Sequence, residues 1–127
     1  MSTTSSPVRS GLNLSLVAGT LSSPPELRTL PSGATVASLQ LSVRPAEGPV
    51  DTVPVTWADP PPAALAWASG QELVVVGRVR RRFFRSGGVT ASRTEVVAES
   101  VLAASRRQTV TKALRQAIDQ VEAAIAG

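Results

Sequence analysis

The stretch Val74 to Arg85, VVVGRVRRRFFR, reads as one β-strand with an apolar start and a cationic, aromatic end. Side chains on a strand alternate between faces. Arg78, Arg80, Arg82 and Phe84 therefore project to one side, and Val75, Val79, Arg81 and Phe83 to the other. Three guanidiniums and a phenyl ring in a row make a poor core and a good surface for a nucleic acid, because guanidiniums pair with phosphates and a ring can take an unpaired base on its face. Charge that only blocks edge pairing needs one or two such residues, not a stripe closed by two aromatics. Phe83 is expected in the core or at its rim, and Phe84 in solvent.

Working outward, Leu12 to Leu21 (LNLSLVAGTL) alternates apolar with small or polar residues and fits a first strand with a bulge or a close backbone approach at Gly19. SSPPELRTLPSG, with three prolines and a glycine, reads as a turn-rich connection. Ala34 to Arg44 is the second strand, with Thr35, Ala37, Leu39, Leu41 and Val43 facing the core and Val36, Ser38, Gln40, Ser42 and Arg44 facing solvent or ligand. A third strand ends in PVTW at Trp57. Asp59 before three prolines and AALAWAS then has the form of a capped helix start, the brief helix ending at Gly70. Trp67 is expected to be buried against the barrel's end. After the opening strand, Ser86 to Ser92 reads as a hairpin loop and Arg93 to Ala104 (RTEVVAESVLAA) as the returning strand. Five short strands with a helix between the third and fourth is the element order of the all-β, five-stranded oligonucleotide-binding (OB) barrel, here assigned to residues 11–104.

Residues 105–127 change character. No glycine or proline interrupts Ser105 to Ile125, and Val110, Leu114, Ala117, Val121 and Ala124 are spaced 4, 3, 4 and 3 apart, a heptad seam. Ser105 with Gln108 has the form of a capping box and Gly127 sits where a helix would stop. An amphipathic C-terminal helix of this length is marginal alone and needs a surface. That surface is the chain's own barrel, a second copy of the chain, or a protein partner contacted through the helix. In the partner case the chain would be an adaptor with weak nucleic-acid binding.

With 127 residues the chain can bury one core of ordinary size. It has no cysteine, histidine or tyrosine, which removes disulfides, thiolate zinc sites and the commonest general bases and nucleophiles. Asp51, Asp59, Glu72, Glu95 and Glu99 are not spaced as a metal cluster, and Glu95 and Glu99 are expected on one strand face, paired with neighbouring arginines. No enzyme and no cofactor is expected. The 13 basic and 9 acidic residues give a net charge of +4. Between Arg78 and Arg93, however, stand six arginines and no carboxylate, a local field that points to a polyanion. No apolar window long enough for a transmembrane helix exists, and MSTTSSPVRSG lacks the apolar core of a signal peptide. Residues 1–10 are expected to be a disordered lead-in to a cytoplasmic, nucleoid-associated protein.

From Asn13 to Val101 the chain resembles the bacterial single-stranded DNA-binding proteins. The resemblance rests on the Asn13 start with Gly19 and Leu21, PELR at Pro25 to Arg28, SGATVA from Ser32 to Ala37, VTW at Val55 to Trp57, VVGRVRRRFF from Val75 to Phe84, and TEVVAESV from Thr94 to Val101. It implies a homo-oligomer, dimer or tetramer, whose exposed first strand pairs across a two-fold axis. It also implies binding of single-stranded DNA in replication, recombination or repair. Trp57 and Phe84 are implied as base-stacking platforms, and Arg80 and Arg82 as basic positions leading to the second of them. Arg44, Arg78, Arg85 and Arg93 complete the expected nucleic-acid-binding set. Further aromatics usual in the family are missing from SVRPAEGPVDTV, and DQVEAAIAG does not resemble the family's acidic tip. The resemblance is thus to an accessory or paralogous member with a short footprint.

Overall fold

The computed structural model describes residues 11–126. The expected disordered segment 1–10 and the helix stop at Gly127 lie outside them. Six strands, β1 (Ser15–Leu21), β2 (Glu26–Thr29), β3 (Thr35–Val43), β4 (Asp51–Ala58), β5 (Glu72–Ser86) and β6 (Val89–Ala103), are followed by helix α1 (Arg107–Ile125). Five of them close into a ring, β1 to β5 to β6 to β4 to β3 and back to β1 through Thr20 opposite Ser42 and Leu21 opposite Leu41. The β4–β6 pairing is parallel and the others are antiparallel. This is the OB barrel with a C-terminal helix that the element order predicts.

Alternation fills the interior. Ala37, Leu39 and Leu41 of β3, Val55 and Trp57 of β4, Leu73 and Val75 of β5, and Val96 and Val101 of β6 form one buried cluster with Leu21. Each fully buried leucine contributes about 1.5–3 kcal/mol relative to exposure. Gly19 is a close approach, since a Cβ there would lie 2.5 Å from the Ser42 carbonyl oxygen of β3. The β5–β6 ladder skips one residue, Glu99, between the pairs Val76–Ser100 and Gly77–Ala98. This bulge lies between Val96 and Val101 and lets both, five residues apart, face the core. Asn13 then carries the β1–β5 ladder one rung past the start of β1: its Nδ2 donates to the Val79 carbonyl at 2.7 Å, and the Val79 N–H donates to its Oδ1 at 2.9 Å.

Several elements depart from the sequence expectation. The proline-rich connection contains β2, which pairs Glu26 to Thr29 with Ser38 to Thr35 of β3. The segment after Asp59 is a 3-10 helix, Pro62–Ala66, with Pro61 as its cap residue and no side-chain cap; Asp59 itself has φ 50°. Each proline disfavours the α conformation of the residue before it, and Pro61, ahead of Pro62, is extended at φ −66° and ψ 148°, so helical backbone cannot begin at Asp59. The hairpin loop is only Gly87-Gly88, at φ 60° and 81°, so Val89 to Ser92 continues the strand. Two successive positive φ values match the two-residue turn that joins twisted strands, which glycine alone adopts freely. Helix α1 starts at Arg107 with Arg106 as cap residue and no side-chain cap, so Ser105 and Gln108 form no capping box.

Helix α1 lies against β5 and β6. Ala117 is buried and Val110, Leu114, Val121 and Ala124 are half-buried, so the heptad seam is the face turned to the chain's own barrel. Among the described residues no helix is long and apolar enough to cross a membrane.

Candidate nucleic-acid interface

Cross-strand pairs share a face, so the register assigns the outer side of the sheet without further assumption. On β5 and β6, Arg78 is opposite Val97, Arg80 opposite Glu95, Arg82 opposite Arg93 and Phe84 opposite Ala91. The parallel β4–β6 pairing adds Thr56, and the β3–β4 and β2–β3 pairings add Ser38, Glu26 and Arg28 in neighbouring rows. Arg28, Ser38, Thr56, Arg82, Arg93 and Glu95 surround one recess of about 170 Å³. Three strands and the base of the hairpin thus bring together three arginines that are far apart in the chain.

Glu95 organises this floor. Only 4% exposed, it accepts hydrogen bonds from Arg80 Nη2 and, at 3.0 Å, from Thr56 Oγ1. Arg80–Glu95 is the one salt bridge among the described residues. Burial pushes the Glu95 carboxyl up, but the hydrogen bonds from Arg80 and Thr56 and the charges of Arg82 and Arg80 outweigh it and hold its pKa below the usual glutamate value. A depressed carboxylate adds stability that is complete above the ordinary pKa and is lost as pH falls through the lower folded value. Glu95→Gln is expected to lower stability by about 1–3 kcal/mol at neutral pH. In paired thermal melts the difference from wild type should shrink below about pH 4.

Arg82 and Arg93 have no such partner. They are directly opposed on one face, an arrangement that destabilises a sheet by mutual repulsion. Phe84, 42% exposed, stands on the same face one pair further along the hairpin.

The other expected site residues are placed differently. Arg78 and Arg80 lie on the outer face as alternation requires, but Arg80 is committed to Glu95. Arg44 lies apart, in a cleft beside Ala18, Gly19, Thr20 and Glu72. Arg85 has the opposite parity to Arg82 and donates from Nη2 to the Gly88 carbonyl at 3.1 Å. Trp57 does not offer its ring to a base: it is 9% exposed and stacked on Trp67, with ring centroids 5.9 Å apart and planes 13° apart. A bulge at Pro54 would have turned the ring outward, but the β3–β4 register runs unbroken through Gln40–Pro54 to Ala37–Trp57, so Trp57 stays on the inner face with Val53 and Val55. Trp67 is half-buried against the same core. Phe83, expected in the core or at its rim, is 64% exposed because the hairpin outruns the barrel there. Glu99 is the extra residue of the bulge and is exposed, unlike Glu95. Sequence reasoning leaves Arg28 unassigned because only the pairing of β2 with β3 carries it to the recess; its place in PELR is the available signal.

The barrel and this face define the class of protein, an OB-fold domain with a cationic, partly aromatic groove. Comparison with protein-family models and with curated proteins returns no match. Among solved structures, the chain is similar to a deletion mutant of the single-stranded DNA binding protein from Thermus aquaticus, with 26% identity and a TM-score of 0.60 over 72% of this chain. The similarity spans 40% of the length of that protein.

Proposed function

We propose that this chain binds single-stranded DNA with little sequence preference, pairing Arg82, Arg93 and Arg28 with phosphates and stacking a base on Phe84. The observation that carries the reading is the direct opposition of Arg82 and Arg93 across β5 and β6 with no carboxylate partner. Like charges opposed on a sheet cost stability unless an anion lies between them, and a phosphodiester supplies one. Arg78 extends the same face, while Arg80 is held back by Glu95. The likeness to the Thermus aquaticus protein supports the same reading. Replication, recombination and repair all expose single strands, and the proposed role lies among them.

The oligomer expected from the resemblance belongs to the same proposal. Ser15 to Gly19 of β1 pair with β5 along one edge only, and Leu16 is 52% exposed on the outer face, which leaves this strand able to pair with a second copy. The adaptor reading loses its main support, because the seam that would recruit a partner already faces β5 and β6.

The test is a titration with oligo-dT of about 30 nucleotides, longer than the ~4–16 covered by one barrel, with duplex of equal length as control. The single strand is expected to bind at low salt and weaken with a slope of about 0.7 per phosphate neutralised. Intrinsic tryptophan emission is expected to change little, because Trp57 and Trp67 stack on each other in and against the core. Glu95→Gln, which frees Arg80, is expected to tighten binding at low salt while lowering stability. No single-strand binding at low salt would overturn the proposal.

A further inference from the structure

The β5–β6 ribbon has a second face that the proposed function leaves idle. Adjacent strand residues point in opposite directions, so Phe83 and Phe84 project from opposite sides of the ribbon. Opposite Arg82 and Phe84 lies a face built from Arg81, Phe83 and Arg85, paired across the ribbon with Thr94, Ser92 and Thr90. Cation and aromatic alternate there as they do on the outer face, without any carboxylate.

This face is organised rather than merely charged. The Arg81 guanidinium lies over the Phe83 ring, 5.2 Å from its centroid. It is fixed there by two hydrogen bonds to Ser92 Oγ, from Nε at 3.2 Å and from Nη2 at 3.0 Å. A guanidinium held over one side of a ring leaves the ring's other side to a further planar group, and Phe83 is the more exposed of the two phenylalanines. Along the same parity the face runs down to an open recess of about 420 Å³ at the mouth of the barrel, with Val17, Val53, Val79 and Val96 in its lining. In the other direction it reaches Arg85, held to Gly88 at the turn. The turn itself is Gly87-Gly88, without side chains, so a phosphodiester backbone can cross close over the tip from one face to the other.

We propose that the β5–β6 hairpin grips one single strand of nucleic acid on both of its faces, with a second base stacked at Phe83 and Arg81 and a further phosphate near Arg85. The inference rests on the single-strand reading of the outer face and adds a separate contact to it. A short oligonucleotide occupies the outer recess alone, whereas a longer one passes over the glycine tip and engages both faces.

The test uses the full chain with the double variant Arg81→Ala/Phe83→Ala, both residues being exposed and outside the core. Oligo-dT of about 6 and about 30 nucleotides brackets the ~4–16-nucleotide footprint of one barrel. The variant is expected to bind the long oligonucleotide about 10-fold more weakly. Its salt slope should be lower by about 0.7, and binding of the short oligonucleotide should be unchanged. In parallel, the long oligonucleotide carrying 5-bromouracil is expected to photocrosslink at Phe83 as well as Phe84. Wild-type affinity of the variant for the long oligonucleotide, an equal loss at both lengths, or crosslinks at Phe84 alone would each overturn the second face while leaving the outer site standing. Failure of the wild-type protein to bind either oligonucleotide would overturn both.

Discussion

Replacing Arg82 and Arg93 together by alanine is expected to weaken single-strand binding by at least about 100-fold at low salt, since each charge-assisted contact contributes about 1.5–3 kcal/mol. The salt slope should fall by about 1.4, two phosphates' worth. The same variant should stay within about 0.5 kcal/mol of wild-type stability, because relief of the repulsion between the two guanidiniums is set against loss of the attraction between Arg82 and the Glu95 carboxylate. Loss of binding with an unchanged melting temperature separates a ligand site from a structural one. Structural arginines would lose both together. Oligonucleotide titration and calorimetry on the same preparation measure the two halves.

Gly77→Ala is expected to be the most damaging small change in the barrel. A Cβ at Gly77 would stand 2.1 Å from the Val97 carbonyl oxygen, 2.9 Å from the Val97 carbonyl carbon and 3.0 Å from Ala98 Cα. All three are backbone atoms of β6, next to the bulge at Glu99, so no side chain can swing away to make room. The strands must part or the bulge must move. A cost of about 3 kcal/mol is expected, at the upper end for overpacking, and a drop in melting temperature of about 10 °C or more. Because β5 and β6 carry the arginines from this point outward, the surviving folded fraction should also bind single strands less tightly. Thermal denaturation followed by titration below the new midpoint checks both statements.

Most of this arrangement is legible from alternation alone. The period of two places Arg78, Arg80, Arg82 and Phe84 on one face of β5 and Ala37, Leu39 and Leu41 inside β3, and the structure has them so. The seam of α1 is equally plain, because heptad spacing survives whatever the helix packs on. What alternation misses depends on pairing, which spacing does not encode. β2 is four residues long and exposed throughout, so it carries no alternation, and Arg28 reaches the recess only through its register with β3. Trp57 turns on whether Pro54 breaks the ladder, a question of hydrogen bonding on one edge. Arg44 and Arg85 are arginines near the right strands in sequence, yet one sits at the far cleft beside β1 and the other on the opposite face of the hairpin. Glu95 reads as an arginine partner, and it is one; that its burial withdraws Arg80 from the free set appears only once Thr56 and Arg80 are seen to converge on it.

The outer face has an energetic logic consistent with its proposed use. One arginine is neutralised by a buried glutamate, which anchors the floor, and two others are left opposed and unpaired where a ligand can reach them. On the proposed reading, the repulsion between Arg82 and Arg93 is relieved when a polyanion binds. The hydrogen bonds of Asn13 to Val79 brace the base of the ribbon, so the face is presented on a braced element.

Amide chemical-shift changes in isotope-labelled protein, mapped as a short oligo-dT is added, separate the outer face from every other surface. They are expected to concentrate at Arg28, Ser38, Thr56, Arg82, Phe84 and Arg93, with α1 and the Arg44 cleft unmoved; a single-strand site on the outer face requires that pattern. Changes confined to α1 or to the Arg44 cleft, or none at saturating oligonucleotide, would contradict it.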